Sequence, residues 1–416
     1  MKEEGYFKKE NCRICQSASI QKVVELTASP PGNNFLSLEQ IGTQEKEYPL
    51  ELDFCEACNH IQLGHVVDPK HLFQNNYSYV SGTSEVFVKH LKDYAEYVIN
   101  LFDIKKSSLI VDIGSNDGTC LGFFKDKGMN VLGVDPATEI AKIASSKGIN
   151  TIADFFSLEL SKEIIEDYGY ADLITSHNAC AHIDDLHSVI SGVEALMKDD
   201  GVFVMEVGYF LDVFENKWFD TIYHEHVDFH TVAPLVDLFE QFDMEMIRAE
   251  RIAPQGGSIR VMAQKKNGSH KRDKSVSELI SLEKDMGLNK AETLIDYEKQ
   301  INEVRDKFID LIDSIKDEGK TIAGFGAPTK ATTLCYHFKI NKNHIDFIVD
   351  DNPLKQGFYS PGKHIPVYDS SKIYEKEPDY VLILAWNFAE SIMKKHQAFK
   401  DSGGSFIIPM PNPIIV

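Results

Sequence analysis

Two stretches constrain this chain more than any others, because each runs from a short apolar strand through a glycine turn into a helix. The first is Ser108-Leu109-Ile110-Val111-Asp112-Ile113-Gly114-Ser115-Asn116-Asp117-Gly118; the second is Thr321-Ile322-Ala323-Gly324-Phe325-Gly326-Ala327-Pro328-Thr329-Lys330. A strand this apolar is buried on both faces, and strands alternating with helices close as a parallel, doubly wound sheet. The runs Leu109 to Ile113, Val131 to Val134, Leu173 to Thr175 and Val202 to Val207 continue the first unit, with segments of helical length between them. Thr321 to Phe325, Phe347 to Val349, Tyr380 to Leu384 and Phe406 to Ile408 continue the second. The predicted fold class is therefore α/β, built from two such domains.

At 416 residues the chain exceeds what a single core sustains. The rhythm breaks at the basic patch Lys265-Lys266-Asn267-Gly268-Ser269-His270-Lys271-Arg272, and one long amphipathic helix is expected from about Ser277 to Lys316. The junction is expected near 250 to 275. Residues 1–72 lack helical periodicity and carry turn signals such as Ser29-Pro30-Pro31-Gly32-Asn33, as a small module needing a staple would. The predicted division is 1–72, 73–255 and 256–416.

The staple is two Cys-x-x-Cys pairs, Cys12 with Cys15 and Cys55 with Cys58, separated by 39 residues. Each knuckle turns two sulfurs toward one point, and two knuckles complete the tetrahedron that zinc prefers, leaving no open position for catalysis. A structural Zn2+ is expected. His60 and His65 are weaker substitutes for one thiolate, while Cys120, Cys180 and Cys335 stand alone as small buried residues.

Net charge is −21, which opposes contacts along a nucleic-acid backbone while leaving room for one diphosphate held by a few local cations. The stretch Met1 to Cys12 lacks the apolar core of a signal peptide, and no apolar run approaches the roughly 18 residues of a membrane span. A cytoplasmic protein with neither nucleic-acid nor membrane partner is expected; oligomeric state is not encoded in any feature of the sequence.

In the first glycine turn, Gly114 and Gly118 let the backbone approach a ligand, and Asn116 stands where a dinucleotide fold places its middle glycine beside a pyrophosphate. The next strand ends at Asp135, where a ribose diol would lie, and the following one at Asp154-Phe155, suited to an adenine edge and face. An adenosine ligand without phosphate fits best, and the pattern from Asp112 to Gly118 resembles that of class I methyltransferases, which bind S-adenosylmethionine. Asn178, after the fourth strand, joins Asp112, Gly114, Asn116, Gly118, Asp135, Asp154 and Phe155 as a cofactor candidate. The second turn ends in Thr329-Lys330 in place of a third glycine, which suits a diphosphate ester.

Together with the cysteine pairs and both glycine turns, Tyr223-His224-Glu225-His226, Gly256-Gly257-Ser258-Ile259-Arg260, Asp351-Asn352-Pro353-Leu354-Lys355-Gln356-Gly357, Pro361-Gly362-Lys363-His364-Ile365-Pro366-Val367 and Tyr380 to Asn387 carry a likeness spanning essentially the whole chain. The sequence resembles the deoxysugar C-methyltransferases, including enzymes that methylate C3 of nucleotide-linked 4-keto-6-deoxyhexoses. That resemblance implies a zinc module, a Rossmann-like methyltransferase domain and a second Rossmann-like domain that helps to bind the nucleotide-diphosphate sugar. It also implies His226 as the base, with Tyr223 and Glu225 orienting the sugar or its oxyanion.

The chemistry is consistent with these residue types. Methylating a carbon beside a ketone needs a base to remove its proton and donors to hold the enolate oxygen. His182 is a second acid/base candidate, and Tyr77 and Tyr79 are placed to close over the sugar. Arg260, Lys330 and Lys355 are candidates for the diphosphate. A zincin reading of the histidines fails, since Val227 stands where His-Glu-x-x-His needs Glu. The alternatives are an NAD-dependent sugar oxidoreductase or epimerase using the second turn, and a cofactor-binding regulator without turnover.

Overall fold

The computed structural model describes residues 5–69, 72 and 80–416. Its amino-terminal module is an antiparallel sheet in the order Asp228–Phe229, Ile61–Leu63, Tyr48–Cys55, Ile20–Ser29. The first of these strands comes from the next domain. Cys12 and Cys58 place their Sγ atoms 3.6 Å apart, Cys15 and Cys55 theirs 3.5 Å apart, and all four sulfurs lie within 4.8 Å of one another. A tetrahedron with metal–sulfur bonds of about 2.3 Å has edges of about 3.8 Å, so the donor set fits zinc. The four cysteines hold one structural zinc ion. His60 is not among the donors: its Nε2 pairs with Asp228 Oδ1 at 2.7 Å, both side chains fully buried, and His65 faces Glu51.

The middle domain is a seven-stranded sheet in the order Met244–Ile252, Ser258–Lys265, Met197–Gly208, Ala171–His177, Leu109–Ile113, Asn130–Val134, Thr151–Ile152. The last five are parallel, and Ser258–Lys265 runs antiparallel to both of its neighbours. The apolar runs seen in the sequence supply the central strands. Helix Glu85–Leu101 starts where Ser84 accepts from the Phe87 amide, and buries Phe87, Leu91, Tyr94, Ala95 and Val98 along one stripe. The hairpin of Met244–Ile252 and Ser258–Lys265 carries this sheet past the 255/256 division expected from the sequence, because Ser258–Lys265 takes its hydrogen bonds from Met197–Gly208.

The carboxy-terminal domain is a six-stranded sheet in the order Val367–Tyr368, Phe347–Val349, Ile322–Phe325, Tyr380–Ile383, Ser405–Ile408, Ile414–Ile415, parallel except for the last strand. The single helix expected over 277–316 is two, Ser275–Asp285 and Ala291–Asp317. Gly287 causes the break: it sits at φ +76°, which ordinary side chains avoid, and a Cβ there would come within 2.6 Å of Thr293 Oγ1. The second helix buries Leu294, Tyr297, Ile301, Val304, Phe308, Ile312 and Ile315, and its Glu298 accepts from the Glu25 amide at 2.8 Å, tying it to the zinc module. Among the described residues no helix is long and apolar enough to cross a membrane.

The purified protein is expected to contain one zinc per chain by elemental analysis. Replacing both Cys55 and Cys58 by Ser should remove it and unfold the module, since structural zinc contributes on the order of 10 kcal/mol to folding in small modules. A metal-free variant with an unchanged melting temperature would contradict this assignment.

Candidate active site at the three-domain junction

In both doubly wound sheets the ligand crevice lies beyond the carboxyl ends of the strands, where strand order reverses. In the middle sheet that point falls between Leu109–Ile113 and Ala171–His177. Asp112 is buried, and its Oδ1 has no hydrogen-bond partner among the described residues, so a bound donor group would satisfy it. Gly114, at φ +73°, brings the turn against Ala179, where a Cβ would approach the Ala179 Cβ to 2.5 Å. Gly118, also left-handed, opens helix Thr119–Asp126. The Asp135 carboxylate accepts from the Asn116 and Ala137 amides, each at 2.9 Å, and so holds the turn to the neighbouring strand. Asn178, at φ +56°, donates its amide to the Glu206 carbonyl. Exposed Asp154 and half-buried Phe155 follow the last parallel strand. All eight cofactor candidates thus line one sheet edge, and Ser81, whose amide donates to Asn116 Oδ1 at 2.9 Å, lays the entering chain over them.

The segment Tyr223 to His226 lies between helix Phe210–Asn216 and strand Asp228–Phe229. His226 donates from Nδ1 to the Thr221 carbonyl at 2.8 Å, which leaves Nε2 as an acceptor, and the Tyr223 hydroxyl lies 2.8 Å from it. The two rings are 4.0 Å apart, and the His182 ring lies 4.9 Å from that of His226. His182 Nδ1 donates to the Glu225 carbonyl at 2.7 Å. Burial depresses both imidazoles, His226 to about 3 with His182 adding to the effect, and His182 to about 4. Both are neutral near pH 7, and both keep part of their surface open. Burial pushes the Glu225 carboxyl up to about 7, against a hydrogen bond from Asn33 and the charge of Lys355. His224 turns the other way and bonds the Tyr48 carbonyl of the zinc module at 3.2 Å.

The third wall comes from the carboxy-terminal domain. Its own reversal of strand order lies between Ile322–Phe325 and Tyr380–Ile383, and from there Lys330 and Trp386 reach the middle domain. The Lys330 ammonium sits 3.5 Å from the centre of the Trp386 ring, whose Nε1 donates to Asp220 at 2.6 Å. Burial lowers Lys330 to about 8, opposed by Asp220. Lys355 donates to the Ala327 carbonyl at 2.7 Å, and burial lowers it as well. Tyr77 and Tyr79 lie outside the described residues.

Three family models tile the chain: "Putative zinc binding domain" over residues 12–73, "Methyltransferase domain" over 84–249 and "C-methyltransferase C-terminal domain" over 253–411. C-methyltransferase NovU from Streptomyces niveus is 33% identical over 407 residues, which is 98% of this chain and 97% of that protein. The chain belongs to this C-methyltransferase family. Among solved structures, an S-adenosylmethionine-dependent methyltransferase from Clostridium acetobutylicum aligns with 43% of this chain and 92% of its own at 14% identity, with a TM-score of 0.36. The magnesium protoporphyrin IX methyltransferase of Synechocystis, bound to S-adenosylmethionine, aligns with 47% of this chain and 89% of its own at 12% identity, with a TM-score of 0.34.

In this S-adenosylmethionine-dependent C-methyltransferase, Arg260 does not stand with Lys330 and Lys355. It lies on Ser258–Lys265 directly opposite Glu206 on one neighbouring strand and Glu250 on the other. Its Nε donates to Glu206 at 2.5 Å and its Nη1 to Glu250 at 3.2 Å, with the Tyr94 and Tyr97 rings against the guanidinium. Against burial, the hydrogen bond from His90 and then the charges of His177 and Arg260 hold Glu206 down to about 2. The arginine is consumed by the sheet.

Conversely, sequence reasoning passed over Asn33, Asp220 and Trp386 as site residues, and took Thr329 only as the replacement of a third glycine. Asn33 was visible only as part of a turn, and the side chains it meets are remote in sequence. Replacing Arg260 with Ala should lower stability by about 1–3 kcal/mol, because buried Glu206 loses a charge-assisted partner and keeps His90 beside it, while Glu250 keeps Tyr97 and Arg248. The Michaelis constant for substrate should stay near that of the parent enzyme. A normally stable R260A enzyme with weakened substrate binding would return this residue to the site.

Proposed function

We propose that this C-methyltransferase methylates carbon 3 of a nucleoside-diphosphate 4-keto-6-deoxy sugar. The observation that carries the proposal is the neutral His226, its Nε2 held as an acceptor beside the Tyr223 hydroxyl at the edge of the cofactor domain. S-adenosylmethionine supplies an electrophilic methyl group. The chain's own work is to make a sugar carbon nucleophilic, and that starts with a proton.

A proton next to a ketone is many units less acidic than imidazolium, and each unit costs about 1.4 kcal/mol. With His226 depressed to about 3 the gap is wider than for an ordinary histidine. The imidazolium formed at Nε2 must therefore be stabilised by the enolate created in the same step, and the enolate oxygen by donors. General-base action contributes roughly 10²- to 10⁴-fold, so the Tyr223 hydroxyl, which must turn from Nε2 to the enolate oxygen as that nitrogen takes the proton, and its neighbours have to supply much of the remainder. In this reading the Glu225 carboxylate accepts from sugar hydroxyls and fixes the ring, and His182 backs the same edge. Lys330 and Lys355, desolvated at the opposing wall, take the diphosphate, where a buried ammonium binds more strongly than an exposed one.

His226→Asn should bind S-adenosylhomocysteine with unchanged affinity and lose methylation by at least about 10²-fold. With S-adenosylhomocysteine bound in place of the methyl donor, the parent enzyme should exchange the sugar's C3 hydrogen with deuterated water, and the variant should not. Exchange by His226→Asn at the parent rate would pass the role of base to His182.

A further inference from the structure

We infer that Asn33, on the Pro30-Pro31-Gly32-Asn33 turn of the zinc module, is a positioning residue that sets the orientation and ionisation of Glu225. The inference deepens the functional reading above and rests on it only for the part that Glu225 plays toward the sugar.

Asn33 bridges three domains with one amide. Its Nδ2 donates to Glu225 Oε1 at 2.8 Å, and its Oδ1 accepts from the Thr329 hydroxyl at 2.8 Å. The second bond fixes which way the amide points: with the oxygen turned to a hydroxyl donor, the NH2 faces the carboxylate, and the flipped amide would set oxygen against oxygen. Backbone contact holds the turn in this register. A Cβ on Gly32 would stand 2.3 Å from the Thr329 carbonyl oxygen, so only glycine lets the turn seat against the start of helix Lys330–His337.

Glu225 is buried, which favours its neutral form, and the Asn33 amide is the one side-chain donor bonded to its carboxylate among the described residues. A donor to the charged form favours that form. Asn33 therefore favours the ionised form of a desolvated carboxyl, and Thr329 keeps Asn33 in place. The consequence reaches across domains: an acid group in the middle domain is tuned by the zinc module and braced by the carboxy-terminal domain.

The test reads Glu225 without substrate. The full-length zinc-loaded enzyme, labelled with ¹³C at the glutamate carboxyl carbons, is titrated by NMR, and the Glu225 resonance is assigned by its loss in Glu225→Gln. The parent midpoint should lie near pH 7, Asn33→Ala should raise it by about one unit or more, and Asn33→Asp, which sets like charges together, should raise it further. Thr329→Val, which removes only the brace, should move it in the same direction by less. Zinc content and S-adenosylhomocysteine affinity, unchanged in all four variants, exclude loss of fold. An unmoved midpoint in Asn33→Ala overturns the inference. Methylation rates of the same variants on a nucleoside-diphosphate 4-keto-6-deoxyhexose test the functional reading separately. The rate should rise with pH through the parent midpoint, the rise should shift with the NMR midpoint in Asn33→Ala, and it should vanish in Glu225→Gln. Shifted NMR midpoints with a rate profile indifferent to Glu225→Gln would leave the positioning intact and refute the role of Glu225 in catalysis.

Discussion

The pairing of Asp228–Phe229 with Ile61–Leu63 is the contact on which the rest of the site depends. It is a two-residue strand, too short to hold anything alone, yet it begins two positions after His226 and supplies the edge of the zinc module's sheet. The buried pair of His60 with Asp228 lies beside it, as does the amide of Leu63 on the Val227 carbonyl at 2.9 Å. A charged aspartate in that position would be costly unpaired, so the contact fixes one register. Zinc, by holding Cys55 and Cys58 at the turn just before Ile61–Leu63, stiffens the surface against which the segment Tyr223 to His226 is laid. Four thiolates would leave the metal no open coordination position, so its effect on that segment would pass through the strand.

The opposite wall is held by a different kind of interaction. Lys330, Trp386 and Asp220 form a buried chain of cation, ring and carboxylate, and Thr333 donates to the Ile222 carbonyl at 3.1 Å. Trp218 and Trp386 pack their rings 4.9 Å apart. An ammonium withdrawn from water needs compensation, and here it has one carboxylate and one aromatic face. A diphosphate arriving at this point would find a cation already stripped of most of its water. Both sheet edges carry a glycine turn held by a carboxylate, Asp135 in one and Asp350 in the other, and the second adds the ammonium groups of Lys330 and Lys355.

How much of this was legible from the chain depended on whether a feature was local. The central strands of both sheets were visible because Val- and Ile-rich runs ending in Asp112-Ile113-Gly114 and Phe325-Gly326 admit few other structures. The cysteine knuckles were legible for the same reason. In the sequence Arg260 is a lone arginine in a motif and looks like an anion ligand. Its fate was decided by the antiparallel register that sets it between Glu206 and Glu250, and register across a sheet is not a local property. Asn33 was passed over because its partners lie 192 and 296 positions away. The amphipathic pattern over 277–316 runs on both sides of Gly287, and that glycine, unfavourable inside a helix and left-handed here, divides it in two.

The most direct test of the central claim is the fate of the methyl group. The enzyme is incubated with a nucleoside-diphosphate 4-keto-6-deoxyhexose and S-adenosylmethionine carrying a ¹³C-labelled methyl, and the product is examined by mass spectrometry and carbon NMR. The account predicts a sugar nucleotide heavier by one methylene, with the label bonded to ring carbon 3, and little turnover of the same sugar without its nucleotide. A label on oxygen or nitrogen, or equal turnover of the free sugar, would contradict it.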